Sequence, residues 1–93
     1  MIDGQQQRRA LTAAEQALHA LEAGDAERAV EAAARAGELD QAGLFAALTT
    51  VVEAAAAEIA MRGMVSAAGW SAIAEALGPG PLAAFAQERA TGA

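Results

Sequence analysis

Residues 44–62, LFAALTTVVEAAAAEIAMR, run without a glycine or proline, and the spacing of their apolar side chains decides the fold. Leu44, Phe45, Leu48, Val51, Val52, Ala55 and Ile59 recur at three- and four-residue steps, which places them on one broad face of a helix. Behind that face the stretch is mostly alanine rather than ion-paired surface. A helix that is apolar nearly all round needs cover on more than one side. The stretch is therefore expected to be a long central helix, against which other helices or a second copy of the chain pack.

Composition agrees with that expectation. The 93 residues are enough for one small domain, 1–93, and a domain of this size buries only a modest fraction of its surface. Alanine fills about a third of the chain. A buried methyl contributes about 0.8 kcal/mol, against roughly 1.5–3 for a leucine, so the core is thin. Alanine also has the best helix propensity and loses no side-chain entropy on burial, so closely packed helices remain affordable in free energy. Phe45, Phe85 and Trp70 are the only aromatics and β-branched residues are scattered, which argues against sheet. The expected fold is all-α, a small bundle of four to five helices.

The net charge is −6, there is no lysine, and the six cations are arginines, of which only Arg8 and Arg9 are adjacent. Such a chain repels phosphate backbones and anionic membrane surfaces, so neither nucleic acid nor membrane is an expected partner. Glu53, Glu58 and Arg62 would make a lipid-spanning role for the central helix costly. The start of the chain has early charge and no apolar run after it, unlike a signal peptide, and the expected location is cytoplasmic. With no cysteine, disulfides, thiol chemistry and cysteine-held metals are excluded.

Further punctuation comes from residue chemistry. Residues 1–10 lack apolar periodicity and read as a frayed lead or exposed first turns. Thr12 and Glu15 fit a capping box, and Leu11, Ala14, Leu18 and Leu21 give a first helix ending near Ala23, before Gly24. Asp25 is suited to cap a second helix, with Ala26, Val30, Ala33 and Ala34 on its apolar face and Gly37 closing it. The short Gly24-Asp25 turn implies an antiparallel pair. Asp40 is placed to cap the central helix, which runs to Arg62 or Gly63. Beyond Gly69, Trp70, Ile73, Ala74 and Leu77 share one helical face, Gly78-Pro79-Gly80-Pro81 breaks the chain, and Pro81 opens a last helix with Leu82 and Phe85 turned inward.

Two resemblances follow from these residues. Residues 21–41, LEAGDAERAVEAAARAGELDQ, resemble the turn and second helix of a tetratricopeptide repeat. Gly24 and Asp25 match the family's turn, Ala17, Ala29 and Ala36 its small close-packing positions, and Glu38, Leu39 and Asp40 its ending. Alanines stand at the family's large aromatic positions, Gln41 replaces its terminal proline, and no second copy follows. The resemblance implies a helical hairpin and, by extension, peptide binding. Residues 66–90 resemble the helix-turn-helix of many bacterial regulators, with Trp70, Ile73, Ala74, Leu77 and Gly78 at the matching places. A reading helix presents polar or basic side chains near its N-terminus, whereas this one begins Pro81, Leu82, Ala83 and has Arg89 late. The resemblance implies the shape more than the DNA chemistry.

Catalytic chemistry is sparsely supplied. Glu15, His19 and Glu22 place carboxylate, imidazole and carboxylate along one helix edge, the only candidate metal ligands, although a solvated edge is the simpler reading. Glu53 and Glu58 diverge around their helix, and Ser66 and Ser71 lie in no nucleophile elbow. Neither an enzyme nor a cofactor is expected. The expected function is a protein-interaction or accessory module acting as a homodimer, with Leu44, Phe45, Val51, Val52, Ile59 and Trp70 as candidate interaction residues. A small transcriptional regulator using residues 66–90 is the alternative.

Overall fold

The hairpin that starts the fold is set by Gly24 and Asp25. Gly24 adopts φ +79°, and the N–H groups of Gly24 and Asp25 donate to the carbonyls of Leu21 and Ala20, closing the helix before them. The Asp25 carboxylate then accepts from the Arg28 N–H at 3.1 Å and caps the helix after them. A computed structural model describes residues 4–92, and within these the chain forms five helices and no strand. They are α1 (Gly4–Glu22), α2 (Ala26–Leu39), α3 (Leu48–Arg62), α4 (Ala67–Leu77) and α5 (Pro81–Thr91). The all-α bundle expected from the sequence is the observed fold.

Several boundaries differ from expectation, each for an identifiable reason. The described part of the lead is not frayed: α1 begins at Gly4 and Ala10 is fully buried, while residues 1–3 lie outside the described residues. Thr12 is therefore interior to α1 rather than a cap, and its hydroxyl donates back to the Arg8 carbonyl at 3.1 Å. Gly37 does not close α2, which continues to Leu39. The central helix begins at Leu48 instead of Leu44, because residues 44–47 form a turn held by Asp40. Asp40 Oδ1 accepts from the Leu44 N–H at 3.1 Å and Oδ2 from the Phe45 N–H at 2.8 Å, so the expected cap acts on this turn. Gln7 of α1 completes the lock by donating to Asp40 and accepting from the Gln41 and Ala42 N–H groups. Burial opposes ionisation of Asp40, but the donors from Gln7, Phe45, Leu44 and Gly43 outweigh it and hold its pKa below the ordinary carboxylate value.

The second hairpin is likewise shifted. Ser66 caps α4, its hydroxyl accepting from the Gly69 N–H at 3.1 Å. Gly69 lies inside the first turn of α4, and a side chain there would run into Glu58 and Val65. The glycine thus leaves room for the Glu58 and Val65 side chains against the first turn of α4. Gly63, at φ +84°, ends α3 where expected, and Pro81 opens α5.

Successive helices pack on one another in chain order, and the α1–α2 pair is the most extensive. The core between α1 and α2 is mainly alanine, with Leu18 and Leu21 as its large members. Toward α3 and the second hairpin it passes to Phe45, Leu48, Val52, Val65, Trp70 and Ile73. The radius of gyration, 12.3 Å, is that of a compact domain of this length, about 12 Å. The thinnest dimension is 17 Å. Two helix layers need about 8–10 Å between axes plus a Cα radius of about 2.3 Å on each side, so there is no room for a third layer.

Candidate interaction surface

That two-layer build divides α3 into two faces. Leu48, Val52 and Ala55 point inward and are buried, with Val51 and Ile59 half-buried beside them. On the opposite side Thr50, Ala54, Ala57 and Met61 are all exposed, and their steps of four, three and four residues align them in one stripe. Glu53 and Ala60 flank the stripe on one edge and the half-buried Glu58 flanks it on the other. Gly63 ends the helix and leaves Met64 exposed beyond it. Met61 and Met64, 82% and 66% exposed, are the most solvent-accessible large apolar side chains among the described residues.

The expected interaction residues divide accordingly. Phe45, Val52 and Trp70 are buried and serve the core, which removes them from any surface. Val51 and Ile59 pack partly against that core, and only Leu44, 60% exposed, is open to solvent. Leu44 belongs to the 40–45 loop that Gln7 of α1 grips. Met61 and Met64 went unrecognised because the inward stripe is the richer in large residues. The signal that identifies Met61 is its place in the second, alanine-lined stripe on the same helix.

At the opposite end a clasp joins α1 to the second hairpin. The Phe85 ring meets His19 of α1 edge-on with centroids 4.9 Å apart, and Trp70 of α4 edge-on at 6.1 Å. The Arg89 guanidinium lies over the Phe85 face, 3.5 Å from its centroid, while pairing with Glu22 of α1 and donating to the Phe85 carbonyl. Glu22 is thus occupied by Arg89 and His19 by Phe85. Glu15, His19 and Glu22 do not assemble as a ligand set, and the described residues hold no group of three or more His, Asp or Glu arranged for a metal. Beside the clasp lies an open groove of about 630 Å³ lined by Leu21, Arg62, Met64, Trp70 and Arg89 among others. A second groove, about 510 Å³, runs along the outside of α1 and α2 past His19, Arg28, Glu31 and Arg35.

No family model matches the chain, and no curated protein or solved structure shows significant similarity to it. No described helix is long and apolar enough to cross a membrane.

Proposed function

We propose that this chain is a non-catalytic protein-interaction or accessory module that works as a homodimer. The observation that carries this reading is the uncovered outer face of α3, a stripe of small residues ending in Met61, with Met64 exposed just beyond the helix. Exposed methionines beside small residues suit a surface that accepts another helix, because the unbranched thioether adapts to the shape presented to it. Ionisable side chains also favour a structural role over a catalytic one. Asp25 and Asp40 cap turns, and Glu22 and Arg89 hold the clasp. The tetratricopeptide-like reading of residues 21–41 draws support from the antiparallel α1–α2 pair and from the packing of helices in chain order.

Light scattering across concentrations from about ten micromolar to about one millimolar tests the homodimer. A mass rising toward twice that of one chain supports it; one chain mass throughout removes it.

The α4–α5 hairpin favours the regulator as the second reading, since it joins two helices through the Gly78–Gly80 break. Its charge opposes DNA contact, because Arg89, the only cation of the pair, is engaged with Glu22 and Phe85. A gel-shift titration across salt separates the readings. Sequence-selective binding that survives physiological salt would establish the regulator, whereas weak binding at low salt alone would exclude it.

A further inference from the structure

We infer that the outer face of α3 is the self-association surface and that two copies pair there antiparallel, about a twofold axis near the middle of the helix. This rests on the homodimer proposed above and adds to it a face and an orientation. The stripe grades from small residues at its N-terminal end, Thr50, Ala54 and Ala57, to a large one at its C-terminal end, Met61. All four are exposed, and Met61 stands 82% open to solvent.

A second copy is the occupant that this gradient fits. Two helices at constant separation fill their interface when large residues of one meet small residues of the other. Parallel pairing would set Met61 against Met61 and hold the alanines apart. Antiparallel pairing in knobs-into-holes register sets Met61 of each copy over Thr50 of the other, and Ala54 over Ala57.

The flanking charges select the same orientation. Glu53 and Glu58 occupy opposite edges of the stripe, five residues apart. In a parallel pair these are the positions that face one another between helices, so each Glu53 would meet a Glu58. Antiparallel pairing puts them on opposite sides of the seam and sets each Glu53 beside the Ala60 edge of the other copy. It also opposes the two helix dipoles.

The contact is limited in size. Fifteen residues give a helix about 22 Å long, and its stripe is smaller than the roughly 800 Å² per partner found in stable complexes. The dimer is therefore weak and concentration-dependent.

Absence of native cysteine makes a direct test available. Thr50→Cys and Met61→Cys chains are mixed under mild oxidation, and disulfide-linked dimer is compared with that formed by each variant alone. The mixture is expected to link at least tenfold faster than either variant alone; equal rates for single variants and mixture would overturn the antiparallel arrangement. Both sites are solvent-facing, so neither substitution should disturb the fold, and circular dichroism of each variant checks this. In parallel, Met61→Glu is expected to weaken dimerisation at least tenfold in light scattering. Wild-type dimer with unchanged affinity in Met61→Glu would overturn this face while leaving the homodimer standing. A wild-type chain that stays monomeric would remove both, leaving the stripe to a partner of different sequence.

Discussion

The two hairpins of this small bundle achieve stability by opposite means. The α1–α2 pair has long helices, of 19 and 14 residues, and a seam made largely of alanine, with Ala10, Ala14, Ala17, Ala29, Ala33 and Ala36 at or near zero exposure. The α4–α5 pair has two 11-residue helices and depends on a few large anchors, Trp70 and Ile73 in the core and Phe85 in the clasp. Close approach gives the first pair many small contacts, each worth little. In the second, stability is concentrated in single side chains. The first hairpin should therefore be sensitive to added volume and the second to deleted volume.

Trp70→Ala gives the largest expected effect. Removing this buried ring and its edge contact with Phe85 should cost about 3–5 kcal/mol, measured by urea denaturation, and unfold a substantial fraction of so small a domain. Ala33→Leu in the first hairpin should cost about 1–3 kcal/mol by forcing α1 and α2 apart. If Ala33→Leu proved stabilising, the seam would contain unfilled space and the contrast between the hairpins would fail.

Asp40→Asn probes the loop that joins the first hairpin to α3. Asparagine cannot accept at both oxygens, so one N–H of the 44–45 turn loses its partner at a cost of about 1 kcal/mol. Because the folded-state pKa of Asp40 is lowered, its ionisation stabilises the fold above the unfolded value, about 3.9, and that contribution is lost as the pH falls through the folded one. The stability gap between wild type and variant should therefore be full at neutral pH and shrink in acid. A gap independent of pH would mean that the carboxylate charge is irrelevant to the lock. Arg89→Gln should have the smallest effect, under about 1 kcal/mol, since the Glu22 pair is partly solvated and the stacking on Phe85 is modest. Its difference from wild type should narrow with added salt as the ion pair is screened.

The same contrast explains what could be read in advance. Turns set by local chemistry were legible: Gly24 and Asp25, Gly63, and Pro81 act within a few residues of themselves. The start of α3 was not, because it depends on Gln7 reaching Asp40, Gln41 and Ala42 across more than thirty residues of chain. Thr12 offered cap chemistry in a place where neighbouring alanine-rich sequence continues the helix through it. The apolar stripe of α3 was legible as a stripe. Its division into a core side and an open side required the positions of α2 and α4, which place Phe45, Val52 and Trp70 inside and leave Ala54, Ala57 and Met61 outside.

Concentration-dependent NMR of the methionine methyl groups tests the open side of α3 most directly. The chain has three methionines, so the spectrum is simple, and two of them, Met61 and Met64, bracket the C-terminal end of the helix. On raising the concentration from about ten micromolar to about one millimolar, the Met61 methyl should shift or broaden most, in step with the rise in mass. A Met61 signal that stays unchanged while the mass rises would place the contact elsewhere and contradict the assignment of this face.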